Sequence, residues 1–367
     1  MSVAGSPTGA IRQQSGPRQW RRRAARSTRS AVTRWGSRDR RRRSRRVTGG
    51  GGDRVAPGGR PAVQSTPVMG TAPRHVWVDG RVVEATEPVL TAFDRGFQLG
   101  DGVFETLRAR GGRPTELPEH AARLRRSAAG LAIPLSGDVE AALVRAIDEL
   151  LTAEGLGGPD GDASVRITVS RGAFFGRGLL PPDEHPEPTI VVQAWPVPPV
   201  PAAHLETGLH LVTSSVRRDP ENPLIGVKTT SRADYVHARI EARSAGADDA
   251  LFLTIDGHLS EATSANVFLV RGDELATPAL ACAILAGTTR DWILRWASGV
   301  GLRAVEGWLT VRDLAEADEA FLSSSVAGIL PVTRFAGEPI GTGRPGPWTL
   351  RARTDREAFI RSGESDS

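Results

Sequence analysis

The chain changes character abruptly after about residue 68, and that break decides which part of it can fold. Residues 1–68 hold 17 arginines against Asp39 and Asp53, scattered among Gly, Ser and Pro with almost no aliphatic periodicity. Such a segment cannot bury enough apolar surface to offset its ordering entropy, so it is expected to be disordered. The remaining residues carry 30 basic and 40 acidic groups, so the overall charge of +5 and pI of 10.5 conceal an acidic folded part. A basic arm for nucleic acid, a transit peptide and an export signal all fit the segment poorly. Only Trp20 and Trp35 interleave its basic blocks, no apolar stretch follows them, and Gly and Pro break any amphipathic helix. The favoured reading is upstream sequence ahead of a start at Met69, with a disordered tail as the alternative.

Residues 69–362 have ample material for a core. No apolar run approaches the ~18–20 residues of a membrane-spanning helix, and the single cysteine, Cys282, cannot close an internal disulfide. A cytoplasmic protein without a membrane partner is expected. Val76 and Val82 lie in short strand-like runs flanking an Asp79-Gly80 turn, a strong hairpin signal. Further strands are expected at 103–110, 163–170 and 189–194, and helices at 117–131 and 138–151. A small domain, 69–194, ends there. The proline-rich run 195–201 reads as a stiff linker. A larger domain, 202–362, should contain strands at 209–214, 249–255, 258–261, 266–270 and 319–322, with helices at 231–244 and 289–297. Residues 363–367 are expected to form a short disordered tail.

Of the 47 basic residues, 46 are arginine and one is lysine, Lys228. A bias strong enough to remove every other lysine is expected to spare one where a primary amine is chemically required. A guanidinium stays protonated and does not replace an amine in a Schiff base. Lys228 sits in Gly226-Val227-Lys228-Thr229-Thr230-Ser231, between an irregular stretch and a helix, where reactive groups are commonly carried. Downstream, Leu259-Ser260-Glu261-Ala262-Thr263 places one acid among small residues. Leu285-Ala286-Gly287-Thr288-Thr289-Arg290 opens a helix whose free N–H groups and dipole suit a phosphate. Ser323-Ser324-Ser325-Val326-Ala327-Gly328 supplies a second hydroxyl-rich turn. An amine, a carboxylate and two anion-cradling turns are the needs of a pyridoxal 5′-phosphate (PLP) site.

Over residues 75–340 the sequence resembles the class IV aminotransferase family of PLP enzymes, which includes branched-chain and D-amino acid aminotransferases and 4-amino-4-deoxychorismate lyases. The resemblance implies an α+β, two-domain fold type IV enzyme like D-amino acid aminotransferase, with PLP as cofactor, no metal, and a homodimeric assembly. By that resemblance Lys228 would be the Schiff-base lysine and proton shuttle, and Glu261 would pair with the pyridine nitrogen. Arg123, within His120-Ala121-Ala122-Arg123-Leu124, would bind the phosphate with Thr288, Thr289 and Ser325, and Leu285 would pack on the ring. His120 is left as structural, having no evident partner.

Within the family, the tyrosine expected five residues after the lysine of a branched-chain enzyme is replaced by Ala233, the only tyrosine being Tyr235. The Arg-x-His pair of the D-amino acid enzymes is incomplete at Arg177-Gly178-Leu179. The segment Asp94 to Gly102, Ser170-Arg171-Gly172 with Gly176-Arg177-Gly178, and Lys228 followed by Arg232 look like the lyase. Arg177 and Arg232 are therefore expected to bind the carboxylates of a small amino substrate, since guanidinium grips carboxylate in bidentate fashion. The expected reaction is conversion of 4-amino-4-deoxychorismate to 4-aminobenzoate and pyruvate, a step toward folate. A class IV transaminase is the alternative, and a basic-tailed nucleic-acid-binding protein the competing class.

Overall fold

Asp79 and Gly80 both take positive φ, 45° and 98°, the backbone of a tight hairpin turn whose twist matches its strands. In the computed structural model, which describes residues 72–135, 137–181 and 186–363, that turn joins β1 (His75–Val78) to β2 (Arg81–Glu84) in the register His75 opposite Glu84. A short helix α1 (Arg95–Leu99), capped by the Asp94 carboxylate on the Phe97 N–H, leads into β3 (Gly102–Arg110) and β4 (Arg113–Pro114). Two helices follow, α2 (Leu117–Gly130) and α3 (Val139–Glu154), then β5 (Asp162–Ser170) and β6 (Thr189–Pro196).

These strands form one six-stranded sheet in the order β2-β1-β6-β5-β3-β4. Helices α2 and α3 cover one face of it. Leu124, Leu143, Ile147 and Leu150 pack there against Val103, Leu107, Val165 and Ile167. The apolar residues recur at helical spacing on α3 and at alternate positions on β5, so each element has one side to bury.

The expected linker is shorter than its prolines suggest. β6 runs through Trp195 and Pro196, and Pro201 already caps α4 (Ala202–Glu206). Proline at a strand's last residue loses no interior ladder bond, which is how β6 accommodates it.

The second layer begins with β7 (Leu209–Arg218), followed by α5 (Ala233–Ser244), β8 (Asp249–Thr254), β9 (Leu259–Ala262), β10 (Asn266–Arg271) and β11 (Glu274–Pro278). It continues with α6 (Thr288–Gly299), β12 (Arg303–Gly307), α7 (Val311–Ala315), β13 (Glu319–Ser324), β14 (Gly328–Phe335), β15 (Glu338–Pro339) and α8 (Pro347–Ser362). The nine strands order as β12-β11-β10-β13-β14-β7-β8-β9, with β15 beside β14. One apolar cluster lies among the strands with α7, and a second joins Phe268, Phe321 and Ile329 to Trp292 and Ile293 of α6 and Ala352 of α8. β11, β12, β14, α1, α7 and α8 are elements that the sequence pattern left unassigned.

Among the described residues, no helix is long and apolar enough to cross a membrane. The readings placed on residues 1–68 lie outside the described residues, as does most of the expected C-terminal tail.

Candidate active site

Lys228 is carried by the segment between β7 and α5, and β3 pins that segment in place. The Lys228 carbonyl accepts from the Phe104 N–H at 3.0 Å, the Thr230 N–H donates to the Gly102 carbonyl at 2.9 Å, and the Lys228 N–H donates to Ser127 Oγ at 3.1 Å. The lysine thus joins the end of the first sheet to the start of α5. Its amine lies 5.0 Å from the centre of the Phe104 ring. Burial, together with the nearby Arg123 cation, lowers its pKa to about 8, far below that of an ordinary lysine. A substantial neutral fraction near neutral pH makes it a competent nucleophile and base.

The amine opens into a cavity of about 500 Å³ that is also lined by Arg123, Glu261, Leu285, Thr288, Thr289, Ser325 and Arg232. The structure therefore brings eight of the nine residues expected from sequence to one place. The exception is Arg177, which is exposed in the segment after β5 and does not line this cavity. The reason is local. Buried Arg95 donates to the Gly178 and Leu179 carbonyls at 3.2 and 2.7 Å, and this anchors the segment against α1.

Arg123 is held as a fixed donor. Its Nε and Nη2 grip the two oxygens of Glu105, both at 2.7 Å, and Nη1 donates to the Ala286 carbonyl at 2.7 Å. These bonds use three of its five N–H donors, and Nη2 also lies 3.4 Å from His120 Nδ1. Glu105 has no solvent exposure. Burial alone would raise its pKa, but the hydrogen bonds from Arg123 and His120 outweigh that and bring it down to about 2. His120 does have a partner, contrary to expectation. Its Nδ1 lies 2.8 Å from Glu105 and its Nε2 3.4 Å from the Thr288 hydroxyl, which in turn sits 3.3 Å from Ser325 Oγ. Complete burial lowers the His120 pKa despite the carboxylate beside it.

Thr288 and Thr289 begin the twelve-residue helix α6, whose first N–H groups have no intrahelical acceptor. Gly287 precedes them because a side chain there would strike Asn266, whose amide donates to the Leu285 carbonyl at 3.0 Å. Glu261, on the fully buried strand β9, also lines the cavity and accepts from the Leu285 N–H at 2.9 Å and from Arg218 Nη2 at 3.0 Å. Each oxygen retains a lone pair for a further donor.

Four participants escaped the sequence reading. Arg218 packs on Tyr235 and Phe252, bonds the Tyr235 hydroxyl and holds Glu261. Tyr235 lines the cavity after all, and the Arg232 guanidinium lies face-on to its ring at 3.0 Å. Phe104 and Arg166 line the same wall, with the Arg166 guanidinium 3.9 Å from the Phe104 ring centre. The available signal was the period of two on β5. It sends Val165 and Ile167 into the core and turns Ser164 and Arg166 to the cavity. Among the described residues neither Arg166 nor Arg232 has a carboxylate at ion-pair distance; Arg232 donates to the Thr263 carbonyl at 3.1 Å and also engages Tyr235. Burial lowers the pKa of both, and the neighbouring Arg232 charge adds to the effect on Arg166.

The residues present fit PLP. A neutralisable amine, a carboxylate lining the same cavity, and an arginine with free helix N–H groups match its aldehyde, pyridine nitrogen and phosphate. Residues 102–335 match the amino-transferase class IV family. A putative branched-chain-amino-acid aminotransferase of Methanocaldococcus jannaschii is 35% identical over 279 residues, covering 76% of this chain and 93% of that protein. Among solved structures, 4-amino-4-deoxychorismate lyase from Pseudomonas aeruginosa superposes with a TM-score of 0.64 at 35% identity, covering 77% of this chain and 97% of its own. The T.th. branched-chain amino acid aminotransferase with pyridoxamine 5′-phosphate gives 0.72 at 28% identity, over 80% and 95%. The chain belongs to the class IV aminotransferase family, the fold type IV enzymes that work with PLP.

Proposed function

We propose that the protein is a homodimeric lyase converting 4-amino-4-deoxychorismate to 4-aminobenzoate and pyruvate. The observation that carries this reading is the pair Arg166 and Arg232, two desolvated guanidinium groups on one cavity wall without carboxylate partners among the described residues. A substrate with two carboxylates, one on its ring and one on its enolpyruvyl arm, would answer both charges. Arg232 is retained from the sequence reading, and Arg166 replaces Arg177 as its partner.

PLP, when bound, supplies an electron sink conjugated to the substrate's amine nitrogen. Glu261, held in place by Arg218 and the Leu285 N–H, would hold a proton on the ring nitrogen. Lys228 Nζ would remove the proton from the substrate ring carbon that bears the amine, and would return one to the methylene carbon of the departing three-carbon unit. Phe104, Arg166 and Arg232 would hold the substrate ring against that amine, and the aromatic product makes the step strongly downhill.

The homodimer is supported by an apolar surface that a monomer would leave in water. Phe97, Phe175, Leu179 and Leu180 are 73–82% exposed, with the Phe175 ring tilted against Phe93 at 4.9 Å. Contiguous exposed apolar groups of this size mark association surfaces.

Transamination is the second reading, favoured by the name of the 35%-identical archaeal relative. One assay separates the two. The PLP-loaded protein is given 4-amino-4-deoxychorismate without any keto acid, and 4-aminobenzoate and pyruvate are measured over many turnovers. Equal, continuing release of both is expected. A single conversion of the cofactor to its amine form on adding an amino acid, reversed only by a keto acid, would replace the lyase with a transaminase.

A further inference from the structure

The two threonines that open α6 are polarised in opposite senses by buried charges from different parts of the chain. Thr289 Oγ1 accepts from Arg356 Nη2 at 3.3 Å. Arginine has only donors, so this contact leaves the Thr289 hydroxyl proton free to be given into the cavity that Thr289 lines. At Thr288, Glu105 takes the proton on His120 Nδ1, and burial favours the neutral imidazole, whose Nε2 is then an acceptor. The Thr288 hydroxyl, 3.4 Å away, points its proton there.

Arg356 lies on α8, far along the chain from Lys228, and is 1% exposed. Its guanidinium packs against Trp292 of α6 at 5.2 Å and Phe359 at 5.0 Å, and grips Glu116 through Nη1 at 3.0 Å and Nη2 at 2.6 Å. Glu116 stands at φ +54°, a left-handed backbone that is strained for a residue other than glycine, and its side chain makes no capping hydrogen bond to the start of α2. A carboxylate held by a buried bidentate ion pair explains why that conformation persists. Helix α2 carries His120 and Arg123, and α6 carries Thr288 and Thr289. One guanidinium therefore ties together the starts of the two helices that bring phosphate-binding groups from opposite sheets.

We propose that Arg356 is a positioning residue for the cofactor phosphate, locking α2 to α6 through Glu116 and orienting the Thr289 hydroxyl as a donor. The inference rests on the phosphate lying at Thr288 and Thr289. It is tested with the full-length protein as wild type, Arg356→Met, Thr289→Val and the double variant, by the PLP dissociation constant and the ³¹P chemical shift of bound PLP. Each single change is expected to weaken PLP at least ~10-fold and to move the ³¹P signal. The double variant is expected to lose clearly less than the product of the two. Losses that multiply fully, or an Arg356→Met protein with lower melting temperature but unchanged affinity and ³¹P shift, would reduce Arg356 to a structural role. If Thr289→Val leaves both readouts unchanged while the protein still binds PLP, the phosphate lies elsewhere and the placement beneath the proposal fails instead. Should Arg356→Met not fold, Glu116→Gln keeps the shape and removes the charge. It must displace the ³¹P signal in the same direction as Thr289→Val, and an unmoved signal overturns the proposal.

Discussion

Arg123 acts on both Lys228 and Glu105, and that one cation lowers the pKa of each. For Lys228, Arg123 adds to burial, and the amine titrates near pH 8. The rate at which the apoprotein captures PLP should therefore rise with pH and level off above about 8, as followed by the absorbance of the lysine-bound cofactor. Lys228→Ala should abolish that absorbance and lower turnover by at least ~100-fold, the low end of what a lost acid–base group costs; a coloured, active variant would remove Lys228 from the chemistry. For Glu105, the folded pKa of about 2 lies below the ordinary 4.5. Because the folded value is the lower one, the carboxylate's contribution to stability is complete above about pH 4.5 and is lost as pH falls toward about 2. Glu105→Gln should leave Arg123 buried without its counter-charge, costing about 3–5 kcal/mol in urea unfolding at neutral pH. The variant should also lose stability less steeply than wild type below about pH 4.5. On the opposite wall, Arg166→Gln should raise KM for the dicarboxylate substrate ~10-fold or more with a smaller change in kcat, as expected when a charge-assisted hydrogen bond to bound substrate is lost.

At the scale of elements, the site is an assembly of ends. The start of β3, the second turn of α2, the last residues of β9, the first turn of α6 and the β13–β14 turn each deliver one or two groups. The tightest of these is the approach to α6. Gly287 has an ordinary extended backbone, φ −79°, so space and not torsion demands glycine. Gly287→Ala should push Asn266 off the Leu285 carbonyl, displace the N–H that fixes Glu261, and weaken PLP binding while α6 itself still forms. Circular dichroism and cofactor titration of the variant would show this, and an unchanged PLP affinity would mean that the turn tolerates the shift. The same view explains what the sequence could show of these elements. Helices α2 and α3 and strands β5 and β10 announce themselves because their apolar residues recur with one period. β12 and β14 do not, because residues such as Arg303, Pro331 and Arg334 interrupt the pattern, and each also pairs in parallel with an earlier strand, β11 and β7 respectively.

For the whole molecule, the proposed dimer rests on the exposed Phe97, Phe175, Leu179 and Leu180. Leu179→Asp with Leu180→Asp should move the protein from dimer to monomer in sedimentation velocity, since charges at an apolar interface would be desolvated without partners. Survival of the dimer would place the interface on another surface. Arg177 lies on this same segment, held there by the anchoring of its neighbours to Arg95. Its sequence neighbourhood resembles a substrate-binding loop, but where a loop arginine points is set by what the loop is tied to.

The sequence by itself determined the family and its cofactor. One lysine among 47 basic residues, an isolated acid in a small-residue strand, and a Gly-Thr-Thr helix start are local signals whose meaning does not depend on their neighbours in space. Only the tertiary structure decided which arginines face the reactive amine, that His120 and Arg123 share Glu105, and that Arg356 reaches Thr289. The physical reason is that a buried charge must be matched by a partner wherever the chain brings one. Here those partners come from as far as 249 residues away, beyond the reach of any pattern of spacing.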